Sequence, residues 1–210
     1  MPRLIALADT HGYHGNFRVP EGDILIHAGD LTQYGQRDQV DGALAWLKSL
    51  PHRHKVLVAG NHDFLFEHEP QLAAALAREA GLVYLLDEEV TLMGLRIWGS
   101  PWQPRFLDWA FNLDRGAPLA AKWSLIPEGL DVLVTHGPPS GYGDRCDDGQ
   151  RVGCADLLEH LARAKPHVHL CGHIHEDPGE WRVGDTRVIN CTTSECDLPA
   201  VVLDVEPVTR

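Results

Sequence analysis

Positive charge is scarce in this chain: 18 lysines and arginines stand against 30 aspartates and glutamates, a formal net charge of −12. Binding along a phosphate backbone relies on basic side chains displacing counterions, so extended nucleic acid is excluded as a partner. The same acidic excess would repel a small phosphate ester unless cations held at the site reversed the local field. Long apolar runs are missing too, since no stretch approaches the roughly 20 residues that span a bilayer. The first apolar run, Leu4–Ala8, is too short for a signal peptide and leads directly into polar residues. A soluble, cytoplasmic protein with no membrane partner is expected. There is no C-x-x-C pair, and the five cysteines, Cys146, Cys154, Cys171, Cys191 and Cys196, are odd in number, which suits reduced packing thiols better than a bridge between Cys146 and Cys154 or Cys191 and Cys196. Repeats, low-complexity tracts and linkers are lacking. With 44% hydrophobic residues, the 210-residue chain reads as a single domain spanning 1–210 whose core needs no staples.

What is present is a series of short apolar runs, each ending in a polar cluster: Leu4–Ala8, Ile24–Ala28, Val56–Ala59, Val132–Thr135 and Val168–Cys171. Rich in Val, Ile and Leu, they read as buried strands. Helical spacing of apolar residues covers Val40–Leu50, Pro70–Ala80 and Gly153–Ala164. Strand and helix thus alternate as in an α/β protein. Val83–Trp98, with a turn near Met93-Gly94, and Glu180–Asn190, with a turn at Gly184-Asp185, read as antiparallel hairpins. A last run, Ala200–Val205, should close a sheet edge. The expectation is therefore mixed sheets rather than purely parallel ones.

The chemistry stands at the strand ends. Asp9 and His11 follow the first run, Gly29-Asp30 the second, Gly60-Asn61-His62-Asp63 the third, His136-Gly137 the fourth and Gly172-His173-Ile174-His175 the last. Loops beyond the carboxyl ends of strands in an α/β sheet converge on one crevice, so these residues can meet. Aspartate, histidine and one asparagine, with no thiolate, form a hard-to-borderline ligand set suited to Mn, Fe, Zn, Co or Ni. The set is too large for one ion. In extended chain, Asp9 with His11, and His173 with His175, each project from one face. His27, inside an apolar run, reads as a satisfied core residue.

These motifs, D-x-H, G-D, G-N-H-D, a later histidine and G-H-x-H, resemble the signature of the calcineurin-like metallophosphoesterases. Ala8-Asp9-Thr10-His11-Gly12, Ile26-His27-Ala28-Gly29-Asp30-Leu31-Thr32, Trp98-Gly99-Ser100-Pro101-Trp102-Gln103-Pro104 and Thr135-His136-Gly137-Pro138-Pro139 narrow the resemblance to the MPPED-like branch, which is similar to class III cyclic nucleotide phosphodiesterases. The resemblance implies a four-layer αββα sandwich of two mixed sheets. It also implies two divalent ions, with manganese favoured: Asp9, His11 and His175 on one, Asn61, His136 and His173 on the other, and Asp30 bridging. A protein Ser/Thr phosphatase would show G-D-x-x-D-R-G and G-N-H-E, whereas this chain has Gln33 in place of the aspartate, no arginine after it, and Asp63. Relatives that lose ligands serve as scaffolds or slow nucleotide binders, but this chain keeps His173.

Two ions about 3.5–4 Å apart can activate a shared water and neutralise phosphate oxygens, so no serine or cysteine nucleophile is required. His62, adjacent to Asn61 yet outside the ligand set, is expected to protonate the leaving oxygen as general acid. Asp63 reads either as the carboxylate that orients His62, and so as part of the catalytic machinery, or as the cap of a helix beginning near Phe64. Asn61, His62 and Trp102 are expected to touch the substrate. The aromatic segment Trp98–Asn112 offers rings that could stack on a nucleobase, though packing of the interior or the rim is favoured. The expected partner is a small phosphoester, cyclic nucleotides and other diesters first, with monoesters the alternative.

Overall fold

The computed structural model describes residues 1–207. In chain order the strands are β1 (Arg3–Leu7), β2 (Ile24–Ala28), β3 (His54–Val58), β4 (Val83–Tyr84), β5 (Glu88–Leu92), β6 (Leu95–Ser100), β7 (Gln103–Pro104), β8 (Asn112–Leu113), β9 (Val132–Thr135), β10 (Val168–Cys171), β11 (Gly179–Val183), β12 (Thr186–Asn190) and β13 (Val201–Asp204). The helices are α1 (Arg37–Ser49), α2 (Phe64–His68), α3 (Pro70–Glu79), α4 (Ala117–Trp123) and α5 (Ala155–Ala164).

Two mixed sheets flanked by helices account for the apolar runs. The first has the order β13-β1-β2-β3-β4 and the second β11-β12-β10-β9-β6-β5. Alternate residues of β1 and β2 (Leu4, Ala6, Ile24, Ile26) meet Ile97, Val132, Val134 and Leu170 of the second sheet, forming the core between the sheets. The intervening residues Ile5, Leu7, Leu25 and Leu57 face outward onto Val40, Ala43, Leu44 and Leu47 of α1 and Ala73 and Ala77 of α3. On the far side, Trp98, Leu133 and Val188 pack against Leu119 and Trp123 of α4 and Leu157 and Leu161 of α5. Both faces of each central strand are covered, so apolar residues fill most positions, with buried His27 and His169 among the exceptions, and period-two alternation disappears.

Parallel pairing runs β1-β2-β3-β4 in one sheet and β6-β9-β10-β12 in the other, with β13, β11 and β5 antiparallel at the edges. The edge role of the last apolar run and the Gly184-Asp185 hairpin are as the sequence suggests. The first hairpin needs correction. Only Glu88–Leu92 and Leu95–Ser100 pair with each other, whereas Val83–Tyr84 runs parallel to β3 in the first sheet. Leu85 and Leu86 anchor that segment among the core side chains, and Asp87, with φ 57°, turns the chain across to the second sheet. All five cysteines are free thiols. No helix among the described residues is long and apolar enough to cross a membrane.

Candidate metal centre

The carboxyl ends of β1, β2, β9 and β10 are stitched together by backbone bonds. Asp9 N donates to Gly29 O (2.9 Å), His11 N to Asp30 O (3.0 Å) and Gly172 N to His136 O (2.8 Å), while Thr193 N donates to Ala8 O (2.9 Å) from the loop after β12. Close approach leaves no room for side chains at two positions: a Cβ on Gly29 would enter the His136 ring, and one on Gly60 would strike Asp30. The residues so gathered are bent into unusual backbone conformations. Asp9 (φ 57°), His11 (44°), Asp30 (54°) and His173 (70°) all occupy the left-handed region, which is costly for residues with a Cβ and concentrates at functional sites.

The seven residues expected from the sequence to hold metal come together. Ligand atoms of Asp9, His11 and His175 lie within 4.8 Å of one another, as do those of Asp30, His136 and His173. A third group of the same span joins His11, Asp30 and His62. Asn61 Oδ1 lies 2.9 Å from His136 Nε2 and Asp30 Oδ2 lies 3.3 Å from it. His136 Nδ1 sits 3.0 Å from the Ala28 carbonyl, which can only accept, so Nδ1 carries the proton. In the neutral ring, the Nε2 lone pair then points at two oxygens that are themselves acceptors. His11 Nε2 and His175 Nε2 lie 3.3 Å apart. Ring nitrogens, carboxylate oxygens and an amide oxygen gathered this closely suit a divalent cation, so the donor set fits a metal centre.

Titration behaviour has the same origin. Burial pushes His136 down, but the Asp30 and Asp9 carboxylates and the Ala28 carbonyl outweigh it and raise the ring to about 9. Burial pushes Asp30 up, yet His136, His11 and His62 hold it far below the usual carboxylate range. Burial lowers His11 to about 4 and His173 to about 3. Asp9 is raised by burial and accepts the His173 backbone N–H at 3.0 Å. His27 is a core residue, buried and bonded to Thr10 Oγ1 at 3.0 Å.

His62 stands over Asp30. Its backbone N–H donates to Asp30 Oδ1 (2.8 Å), its Nε2 is 4.0 Å from Asp30 Oδ2, and its Nδ1 is 2.7 Å from the Gln33 carbonyl. The partner that orients the ring is thus Gln33 O, and the expectation for Asp63 is corrected. Among the described residues, the Asp63 carboxylate accepts from Gly60 N (2.8 Å), Leu31 N (3.1 Å), Thr32 N (3.0 Å) and Thr32 Oγ1 (2.8 Å). It makes no side-chain cap to α2 either. Fully buried, it ties the loop after β2 to the loop after β3. Burial, followed by the Asp30 charge, raises it to about 6, which leaves it ionised at neutral pH.

The aromatic segment also divides differently than expected. Trp102 does not reach the centre: its Nε1 donates to Asp87 Oδ2 (3.1 Å), Lys122 lies over its ring (4.4 Å), and it packs on Phe111. Trp109 packs on His62 instead, ring centroids 3.9 Å apart, held by the bond from Ala110 N to Asn61 O (3.0 Å). Phe106 lines the mouth of the centre, a cavity of about 240 Å³, together with Gln33, Glu176 and Glu195. Glu176 and Glu195 belong to none of the sequence motifs. Neither they nor the Gln33 carbonyl has a residue-type signature that could have marked it.

Fold and donor set together define a metallohydrolase of the αββα sandwich type. The calcineurin-like phosphoesterase family model matches residues 2–177, and the chain belongs to that family. It is 40% identical to human metallophosphoesterase domain-containing protein 1, over 97% of this chain and 71% of the human protein, and matches the mouse protein of that name equally. Among solved structures it resembles TT1561 of Thermus thermophilus (TM-score 0.63, 13% identity, 98% of this chain and 99% of that one). It also resembles GAP50, the anchor in the inner membrane complex of Plasmodium (TM-score 0.54, 13% identity, 91% and 71%). At such identities these structures speak for the fold alone. Family membership makes the chain a phosphoesterase hydrolase of a class that uses divalent metals.

Proposed function

We propose that the chain is a phosphodiesterase for small diesters, cyclic nucleotides foremost, that works with two divalent ions, manganese first. The observation that carries this reading is the gathering of ligand atoms of Asp9, His11 and His175, and of Asp30, His136 and His173, each set within 4.8 Å of one another, with Asn61 Oδ1 beside His136. Asp9, His11 and His175 would hold one ion, Asn61, His136 and His173 the other, and Asp30 both. Such ions, when bound, lower the pKa of a shared water and offset the charge on phosphate oxygens. The remaining work falls to His62. With Nδ1–H fixed on the Gln33 carbonyl, a protonated ring presents Nε2–H to the leaving oxygen. Preference for a diester is supported by the mouth. A monoester carries close to two negative charges at neutral pH and a diester one, and Glu176 and Glu195 add acidic groups to that wall. The unbridged cysteines support a reducing, cytoplasmic setting.

Turnover of a panel of diesters and monoesters after chelation and metal add-back tests the reading, with metal content measured in parallel. Asp30→Ala should lose metal. His62→Ala should keep its metal and slow turnover by roughly 10²–10⁴, and loss of metal from it would make His62 a ligand instead, as its grouping with His11 and Asp30 allows. A wild-type protein that stays empty when supplied with Mn²⁺ would overturn the enzyme reading in favour of a scaffold.

A further inference from the structure

In the proposed reaction the direction of His62 Nε2 decides whether a proton reaches the leaving oxygen. The bond between Nδ1 and the Gln33 carbonyl (2.7 Å) fixes one atom of the ring and leaves the rest free to swing about it. Two neighbouring rings restrict that swing. His11 meets His62 at 84° with centroids 4.4 Å apart, and Trp109 covers it at 3.9 Å with a tilt of 38°. His11 also belongs to the metal set. Trp109 has no second task of that kind, and it is not among the residues that line the cavity at the mouth.

Core packing does not account for Trp109. Trp98 and Trp123 are buried beneath α4 and α5, and Trp46 and Trp102 pack against the core clusters, whereas Trp109 belongs to none of them. It is held instead by bonds that lead back to the segment carrying His62. Asn112 closes the base of the loop between β7 and β8, its Oδ1 accepting from Phe106 N (3.1 Å) and its Nδ2 donating to Leu107 O (3.0 Å). Beyond Trp109, Ala110 N donates to Asn61 O (3.0 Å) and Phe111 N to Glu67 Oε1 (2.8 Å), and the Phe64 ring lies 5.9 Å from that of Trp109. Asn61, Phe64 and Glu67 flank His62 in the chain, so the loop is tied to the stretch that carries the imidazole.

We infer that Trp109 is the positioning residue of His62, holding the imidazole so that Nε2 faces the mouth. The inference rests on the reading of His62 as general acid of a phosphodiesterase. A large rigid ring with only two side-chain torsions suits the task, and a catalytic group misplaced by about 1 Å can cost on the order of 10²-fold in rate. Because Trp109 acts through His62 and does not line the mouth, removing it should cost turnover only while His62 is present.

A kinetic double-mutant cycle on the Mn²⁺-loaded protein, with 2′,3′- and 3′,5′-cyclic AMP as probes and metal content measured for every variant, tests this. Trp109→Leu should keep its metal and lower kcat by about tenfold with KM within about twofold, and Trp109→Phe, which keeps a ring, should recover most of the loss. In a His62→Ala background the same Trp109→Leu change should alter kcat by less than about twofold. A tenfold loss in that background overturns the inference, as does a change in KM alone. Loss of metal from Trp109→Leu does so too, because it places the role of the loop at Asn61. A readout independent of turnover is the His62 Nδ1–H resonance by NMR in zinc-loaded protein, which should be sharp in wild type and Trp109→Phe and broadened in Trp109→Leu; an unchanged resonance in Trp109→Leu refutes the positioning role. Failure of the phosphodiesterase reading registers separately, as absence of cyclic AMP turnover by wild type with every metal supplied, and the resonance then decides the role of Trp109 by itself.

Discussion

Replacing Asp63 by asparagine should destabilise the metal-free protein by about 1–3 kcal/mol, the cost of one orphaned buried donor, because the weaker uncharged bonds are offset by relief of the burial that raises the carboxylate. The carboxylate is fully buried; Oδ2 accepts from Gly60 N and Leu31 N, and Oδ1 from Thr32 N and Thr32 Oγ1. Asparagine has the same shape but one oxygen, so in either orientation its amide faces two donors. With the amide toward Gly60 and Leu31, two backbone N–H groups are stranded. Turned toward Thr32, it strands only one, because the threonine hydroxyl can accept from the amide and send its own proton to the His62 carbonyl, 3.4 Å away. The second orientation wins and sets the estimate. Against a total stability of about 5–15 kcal/mol, the loss is readily measured by guanidinium denaturation in chelator. Metal affinity should fall as well, since Gly60 and Leu31 adjoin Asn61 and Asp30. If Asp63 instead served His62, the substitution would slow turnover and leave the chelated protein within about 0.5 kcal/mol of wild type, the range of neutral surface changes; that outcome refutes a loop-tying role for Asp63.

Chelated protein should be most stable near pH 6.5. Above it, the raised His136, whose contribution is complete below its ordinary 6.5 and vanishes through about 9, is lost; below it, His11, His27, His169 and His173, all lowered by burial to between about 3 and 4, oppose folding by demanding protons in the unfolded chain. Adding Mn²⁺ should remove the alkaline arm, because a liganded His136 carries no proton at Nε2 to lose; melting temperatures across pH with and without metal check both arms. Trp109→Ala should retain metal and lower kcat by roughly tenfold through a looser His62, whereas Trp102→Ala should leave KM alone and destabilise by about 2 kcal/mol, below the usual 3–5 for a fully buried tryptophan. Gly60→Ala should lose metal altogether, visible by elemental analysis, because its Cβ would displace Asp30.

Much of this centre could be read from the chain because a parallel strand covered on both faces is a plain apolar run, and its end is marked where polar residues and glycine begin. Asp9, Asp30, Asn61, His136 and His173 all stand at such ends. Less legible was everything that acts through backbone atoms. The partner of His62 is the carbonyl of Gln33, and the partners of Asp63 are mainly amides, so no residue type announces either. The aromatic segment misled for a related reason. Trp102 and Trp109 are the same side chain in similar composition, and only the ladder of β7 with β8 and the Ala110–Asn61 bond decide which one meets His62. Backbone strain was equally silent. Four of the seven expected ligands, Asp9, His11, Asp30 and His173, hold left-handed conformations with no glycine to mark them. Such conformations persist only where the surroundings over-determine them. Around this centre the surroundings are the bonds from Asp9 N to Gly29 O and His11 N to Asp30 O, the Asp63 carboxylate, and glycines at 29 and 60 that let the loops touch. Those bonds are made by protein atoms, so the loops bear the cost of bringing like-charged and lone-pair-bearing groups together, a cost that a divalent cation held by them would offset.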